Sequence, residues 1–309
     1  MSSNIVVVGS CMIDFTCYSS RLPKPGETIR GSKFHVKYGG KGGNQCVAAA
    51  RLGASTALVA SLGSDSFGQD YLEVLKTENV NASYVQIQKE KQSGIAHITV
   101  AENGENCIVI VPGANDSLSP EHVITSAELI KNATVLLCQF ETPLDATLHA
   151  LRIHKGHGLS IVNAAPAIEN VDPELFKLCD IFCVNETEAE VITGIQALSL
   201  SNAQEAIDIL LSKGCNFVIL TLGPLGAVYA SQDNKKITQI LTTKVQPVDT
   251  TGAGDAFLGS LAYFKAYHPH LSTSECIRRA CEIATKSVLK TGTQESFPTK
   301  GDLPRELFL

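Results

Sequence analysis

No apolar run in this chain reaches the roughly 18 residues that a membrane-spanning helix requires. The start, MSSNIVVVGS, has neither the basic n-region nor the cleavage site of a secretory signal, so it reads as a first strand. Basic residues are in deficit. There are 25 Lys and Arg against 31 Asp and Glu, a formal net charge of −6, which gives no electrostatic footprint for nucleic acid or an anionic membrane. No Cys-x-x-Cys occurs among the ten cysteines, and most of these lie inside apolar runs, as Cys138 does in VLLCQF. They read as buried reduced thiols of a cytoplasmic protein; a nuclear pool beside the cytoplasmic one stays open. His154 and His157 flank a glycine in an expected turn, and His268-Pro269-His270 cannot be helical, so neither pair suits a metal. Internal repeats, low-complexity tracts and linkers are all missing, which makes residues 1–309 a single domain.

What is present is a hydrophobic fraction of 44%, enough for a large core. The runs NIVVVG, TALVASLG, TVLLCQFE, LSIVNAA, IFCVNE and NFVILTLG predict strands buried on both faces. Between them stand helical patterns: NQCVAAARLG with Gly53 as its stop, SPEHVITSAELI with Ser119 as cap and Pro120 in first position, PLDATLHALRIH, NAQEAIDILLSKG and TSECIRRACEIATKSVL. This alternation predicts an α/β fold with a mostly parallel central sheet covered on both faces. Two stretches, about 12–37 and 93–111, alternate polar and apolar residues instead. The second turns at Glu102-Asn103-Gly104-Glu105, a hairpin signal. They predict a small separate sheet, either a lid over a site or a dimerisation surface.

In open parallel sheets, ligands bind beyond the carboxyl ends of the strands. Five predicted strand ends carry polar or glycine clusters: SCMID ending in Asp14, Glu141 after TVLLCQF, Asn185-Glu186-Thr187-Glu188 after IFCV, Thr221-Leu222-Gly223 after NFVIL, and DTTGAGDAF after a strand ending in VQPV. In that last cluster Gly252, Ala253 and Gly254 open a helix, where exposed N–H groups and the helix dipole attract anions. No Lys accompanies them as in a Walker A loop, and Asp255 follows directly. A carboxylate beside an anion hole is useful when it accepts the proton of an alcohol attacking a bound phosphoryl group. The alcohol would sit at GGKGGN, residues 39–44, where glycines admit close approach and Lys41 and Asn44 add a cation and an amide; Asp14 would face them from the first strand end. NETEAE sets Asn185 and Glu188 three apart. Their oxygens suit Mg²⁺ near phosphates, although the same residues also make an ordinary capped helix start.

GGKGGN, NETEAE and DTTGAGDAF together resemble the signature set of the PfkB family of sugar kinases, and the resemblance runs from VVVGSCMID to GTQESFP. It implies a three-layer α/β sandwich with a β-lid that often forms a homodimer, and ATP-dependent phosphorylation of D-ribose at O5 with Mg²⁺. Carried over, Asp255 is the base and Gly252, Ala253 and Gly254 the anion hole. Asp14, Gly40, Lys41, Gly42, Gly43, Asn44 and Glu141 contact sugar. Asn185 and Glu188 lie near Mg²⁺, held through water. Asn185, Thr221, Leu222, Gly223, Pro224, Leu225, Gly226, Gly254 and Cys281 surround ATP. An activating K⁺ would sit at Asp249, Thr251, Ser287, Lys290, Gly292 and Ser296.

Met12 departs from the pattern: the family position two residues before the lid aspartate usually holds Asn, and a thioether cannot donate to a hydroxyl. A kinase for deoxyribose, a ketose or a nucleoside is the neighbouring reading, though a nucleoside would need aromatic or apolar walls that the lid segments barely supply. A sugar-sensing binding protein is the reading without catalysis; it has no need of Asp255.

Overall fold

The computed structural model describes residues 4–309; the first three positions of the opening stretch lie outside the described residues. The strands are β1 (Ile5–Val8), β2 (Met12–Ser19), β3 (Gly31–Gly39), β4 (Thr56–Gly63), β5 (Val80–Gln88), β6 (Gly94–Ala101) and β7 (Asn106–Val111). They continue with β8 (Val135–Cys138), β9 (Leu159–Asn163), β10 (Ile181–Val184), β11 (Phe217–Thr221), β12 (Ala227–Ser231) and β13 (Thr238–Ile240). The helices are α1 (Lys41–Arg51), α2 (Ser66–Thr77), α3 (Pro120–Thr125), α4 (Ala127–Lys131) and α5 (Leu144–His154). After them come α6 (Pro173–Leu178), α7 (Glu186–Thr193), α8 (Ala203–Ser212), α9 (Ala253–Tyr267) and α10 (Thr273–Ser287).

Nine strands form the main sheet in the order β13-β12-β11-β10-β9-β8-β1-β4-β5. Neighbours from β11 through to β5 run parallel, and only the edge pairs β11–β12 and β12–β13 are antiparallel. All six predicted buried strands are in it. Side chains of β1 alternate between two cores: Ile5 and Val7 pack with α1, α9 and α10, whereas Val6 and Val8 pack with residues of α5 to α8. The sheet is therefore the middle of three layers, as uninterrupted apolar strands require.

The half-polar stretches build a second sheet, β3-β2-β6-β7. Its β6–β7 hairpin turns over Glu102–Glu105, with Gly104 at φ +87° and the Glu105 amide bonded to Asn103 Oδ1. Strand β7 is exposed along its whole length.

Three expectations need correction. VQPV is not a strand: residues 241–248 carry no sheet pairing. Pro247 has no N–H to give a ladder, and the amides of Val248 and Asp249 donate to Val288 O at the end of α10. Asp14 does not stand at the end of the first strand either. It is the third residue of β2, opposite Lys37 of β3, because β1 ends at Val8 and the chain crosses at once into the second sheet. SPEHVITSAELI, finally, is two helices that meet at Ser126, with Ser119 capping the first as expected.

Candidate active site

Gly252 is the N-cap of α9 and sits at φ +78°, which favours glycine; a methyl group there would fall 2.6 Å from Thr293 Cγ2. The turn it makes starts α9 so that the helix N-terminus, with Ala253 and Gly254, lines two cavities at once. The larger, about 330 Å³, is mostly apolar and is bounded by Thr221, Gly223, Pro224, Gly226, Cys281 and Val288, among others. The smaller, about 160 Å³, is polar and holds Lys41, Asn163, Asn185, Glu188 and Asp255. Thr221, Thr250, Ala253, Gly254 and Phe257 border both. Leu222 turns into the core instead, and Leu225 is half exposed; neither lines a cavity.

Helix α1 brings GGKGGN to the same place. Gly40, at φ +83°, passes so close to β2 that a Cβ would lie 2.7 Å from Met12 N. Helix α1 then begins at Lys41, three residues before the expected NQCVAAARLG. Glu141 anchors this start: Oε2 accepts from Lys41 N (2.8 Å) and from Ser10 Oγ (2.6 Å). Gly43 N donates to Ser10 O. Gly42 is just as confined, since a Cβ would meet Ser10 N at 2.5 Å.

Asp255 is buried, 7% exposed. Its Oδ2 accepts from Asn44 Nδ2 at 2.9 Å and its Oδ1 from Gln45 Nε2 at 3.0 Å. Burial raises its pKa above the ordinary carboxylate range, with Lys41 and the two amides opposing that rise. Burial works against the Lys41 ammonium too, yet Asp255, Glu141 and Glu188 hold its pKa above the usual value. Asp14 is pushed up to about 7, first by burial and then by Glu141, Glu295 and Asp255, with Lys37 opposing.

Asn185 and Glu188 form the capping box of α7. Asn185 Oδ1 accepts from Glu188 N (2.9 Å), and Glu188 Oε2 accepts from Asn185 N (2.8 Å). Burial raises the pKa of the Glu188 carboxyl. No group of three or more His, Cys, Asp or Glu side chains with metal-binding geometry occurs among the described residues. Two oxygen-bearing side chains at the polar cavity nevertheless fit Mg²⁺, which keeps most of its waters and needs few protein ligands.

Of the residues predicted for K⁺, Asp249, Thr251 and Gly292 are brought together: the Asp249 carboxylate accepts from Thr251 N (3.0 Å) and Gly292 N (2.8 Å). Those amides outweigh burial and lower the Asp249 pKa. Ser287 and Ser296 are buried, with hydroxyls bonded to Ala284 O and Thr293 O, and Lys290 N donates to Ser287 O.

Sequence reasoning missed Ser10, Gln45, Gln139, Asn163 and Gln294, all buried around these groups. Asn163 carried a signal, since it ends the strand run LSIVN.

Comparison with known proteins agrees with this geometry. A pfkB family carbohydrate kinase model matches residues 2–300. Ribokinase of Mus musculus is 47% identical over 98% of this chain and 94% of its own. Deoxyribokinase of Salmonella typhi is 36% identical over 96% of both. The structure of Arabidopsis thaliana ribokinase complexed with ribose and ATP superposes with a TM-score of 0.91 at 30% identity, covering 100% of each chain. With the glycine-led α9 terminus, the buried aspartate and a match along nearly the whole length, the chain belongs to the pfkB family of carbohydrate kinases.

Proposed function

We propose that this protein transfers the γ-phosphoryl group of ATP to the 5-hydroxyl of D-ribose, with Asp255 as general base. The observation that carries the mechanism is the meeting of two unlike cavities at Gly254, with Asp255 on the polar side. The apolar cavity suits a nucleotide. The polar one suits a sugar, whose hydroxyls demand matched partners. Lys41 and Asp255 line it, and Asp14, Asn44 and Glu141, with the backbone of Gly40, Gly42 and Gly43, would supply further acceptors and donors beside it. The O5 proton passes to the Asp255 carboxylate as O5 bonds to the γ-phosphorus and the bond to the β-phosphate oxygen breaks, leaving ADP. The amides of Gly252 and Gly254 would face the charge that spreads over the phosphoryl oxygens, with Ala253 joining them on release of its 3.2 Å bond to Thr250 O. Mg²⁺, bound with ATP, neutralises phosphate charge; Asn185 and Glu188 would hold it through water. Thr221, Gly223, Pro224, Gly226 and Cys281 would border the nucleotide.

The relatives named above support ribose and ATP as substrates. Met12 favours a second reading, 2-deoxyribose. It is buried on the lid strand two residues before Asp14, and its sulfur accepts a 3.5 Å contact from Asn115 Nδ2. A potassium ion beside Asp249 and Thr251 would help order the amides of the α9 turn. Two copies would pair through the lid, where β7 exposes Ile108, Val109, Ile110 and Val111. All ten cysteines are free, which fits a reducing compartment such as the cytoplasm. Among the described residues, no helix is long and apolar enough to cross a membrane.

The test is a panel of ribose, 2-deoxyribose, a ketose and a nucleoside with ATP, run on the native protein and on Asp255→Asn. Ribose should turn over fastest, and Asp255→Asn should lose at least about 10²-fold in kcat while still binding both ligands. Fastest turnover on another acceptor would replace the substrate assignment. Undiminished turnover in the variant would remove the base.

A further inference from the structure

Asp255 is reached from two sides by buried amides that all point their protons the same way. On one side Gln139 Nε2 donates to Gln45 Oε1 at 2.7 Å, and Gln45 Nε2 donates to Asp255 Oδ1 at 3.0 Å and to Asn163 Oδ1 at 3.0 Å. On the other side Gln294 Nε2 donates to Asn44 Oδ1 at 3.1 Å, and Asn44 Nδ2 donates to Asp255 Oδ2 at 2.9 Å. Gln294 Nε2 also approaches Tyr71 Oη at 3.2 Å, whose hydroxyl donates to Gly39 O at 2.5 Å. All five amide side chains and Tyr71 are buried.

The direction follows from Asp255. An ionised carboxylate only accepts, so each neighbouring amide must present NH₂ to it and its carbonyl to the amide behind. That order fixes Gln139 Nε2 toward Gln45 and leaves Gln139 Oε1 facing inward with no donor. An unpartnered buried acceptor costs free energy, so the chain accepts a stability cost behind its base. Each Asp255 oxygen accepts one amide donor and keeps a second lone pair, so a proton can be taken from the alcohol with the amides in place, while the fixed donors favour the ionised form.

We propose that two one-way relays, Gln139 to Gln45 and Gln294 to Asn44, hold the Asp255 carboxylate in orientation and in its ionised state, making Gln45, Gln139 and Gln294 positioning residues for phosphoryl transfer. The inference rests on Asp255 being the base. Charged groups facing Asp255 also act on it: Lys41 of α1 favours the ionised form, while Glu141, Glu188 of α7 and Asp14 of β2 oppose it. The relays add donors fixed on both oxygens, where Lys41 supplies only charge. Gln294 also lies between Gly292 and Ser296, so the second relay joins that loop to the base.

The test is the pH profile of kcat for Gln45→Leu, Gln139→Met and Gln294→Met, each beside the native protein and Asp255→Asn, with a thermal melt for each. Gln45→Leu should lower kcat about tenfold or more, the worth of a hydrogen bond to a charged group, and move the acid limb upward. Gln139→Met should move the limb the same way by less and keep or raise the melting temperature, because the orphaned carbonyl is gone. Gln294→Met should act through Asn44 in the same direction. If Gln45→Leu does not fold, the other two variants decide. An acid limb that stays put in the folded variants, with any loss confined to KM or to stability, overturns the relays while leaving Asp255 as base. Full turnover in Asp255→Asn removes the base reading itself.

Discussion

Asn44 and Asp255 lie 211 positions apart and are joined by a 2.9 Å hydrogen bond from Nδ2 to Oδ2. The bond ties the first helix of the chain to the ninth, and with it the sugar-reading glycine loop to the phosphate-reading one. Both helices pack on the same face of the central sheet, Val47 and Leu258 sharing one core. The distance between acceptor alcohol and anion hole is therefore set by apolar packing beneath the site.

The two glycines of the α9 turn should respond differently to alanine. At Gly252 a methyl group meets Thr293 Cγ2 at 2.6 Å and the backbone is at φ +78°; at Gly254 nothing lies within 4 Å. Gly252→Ala should destabilise the fold by about 1–3 kcal/mol, seen as a lower melting temperature. Gly254→Ala should melt normally yet lose turnover, since its methyl group enters the space shared by the two cavities. Equal melting temperatures for the two variants would contradict this account of the turn.

Asp14 gives a pH dependence whose sign is fixed. Its pKa is about 7 in the folded chain against 3.8 for the free group, so the folded state holds the proton more tightly. Between those values the unfolded chain binds fewer protons, and stability falls as pH rises. Without ligand, Asp14→Asn should therefore melt above the native protein at pH 8, the gap closing near pH 4, while the sugar KM rises. A variant that melts lower at pH 8 would show that Asp14 is stabilised as a carboxylate.

Replacing potassium by sodium should slow turnover, and Asp249→Asn should weaken that salt preference, because the Asp249 carboxylate holds the Thr251 and Gly292 amides in place. Rates that match in both salts would leave the loop without a monovalent ion.

An edge strand with an apolar face invites pairing. Val109 is 59% exposed and Phe34, on the opposite edge strand, also 59%. Substituting Ile108→Lys with Ile110→Lys should yield monomers in sedimentation while leaving the far-ultraviolet spectrum unchanged. A native protein that sediments as a monomer would end the dimer proposal.

Much was legible from local pattern. Buried strands announce themselves as unbroken apolar runs, and Ser119-Pro120, Asn103-Gly104 and Asn185 with Glu188 are short-range hydrogen-bonding units that need no distant partner. GGKGGN and DTTGAGDAF stood out because glycine at that density is costly unless backbone must come close to something. VQPV misled because its apolar residues resemble a strand, but pairing depends on a free neighbouring edge and on amides that Pro247 lacks. Helix α2 and strand β5 were not singled out, since SFGQDYLEVLKT and VNASYVQIQ mix polar and apolar residues.

The sequence by itself determined the six buried strands, the two glycine turns and the acid placed after one of them, because each depends on contacts between near neighbours. Only the tertiary structure decided which amides surround that acid. Gln45, Gln139 and Gln294 look like any polar residues in the chain, and their donors acquire a direction only when folding buries them and puts one carboxylate at the end of both relays.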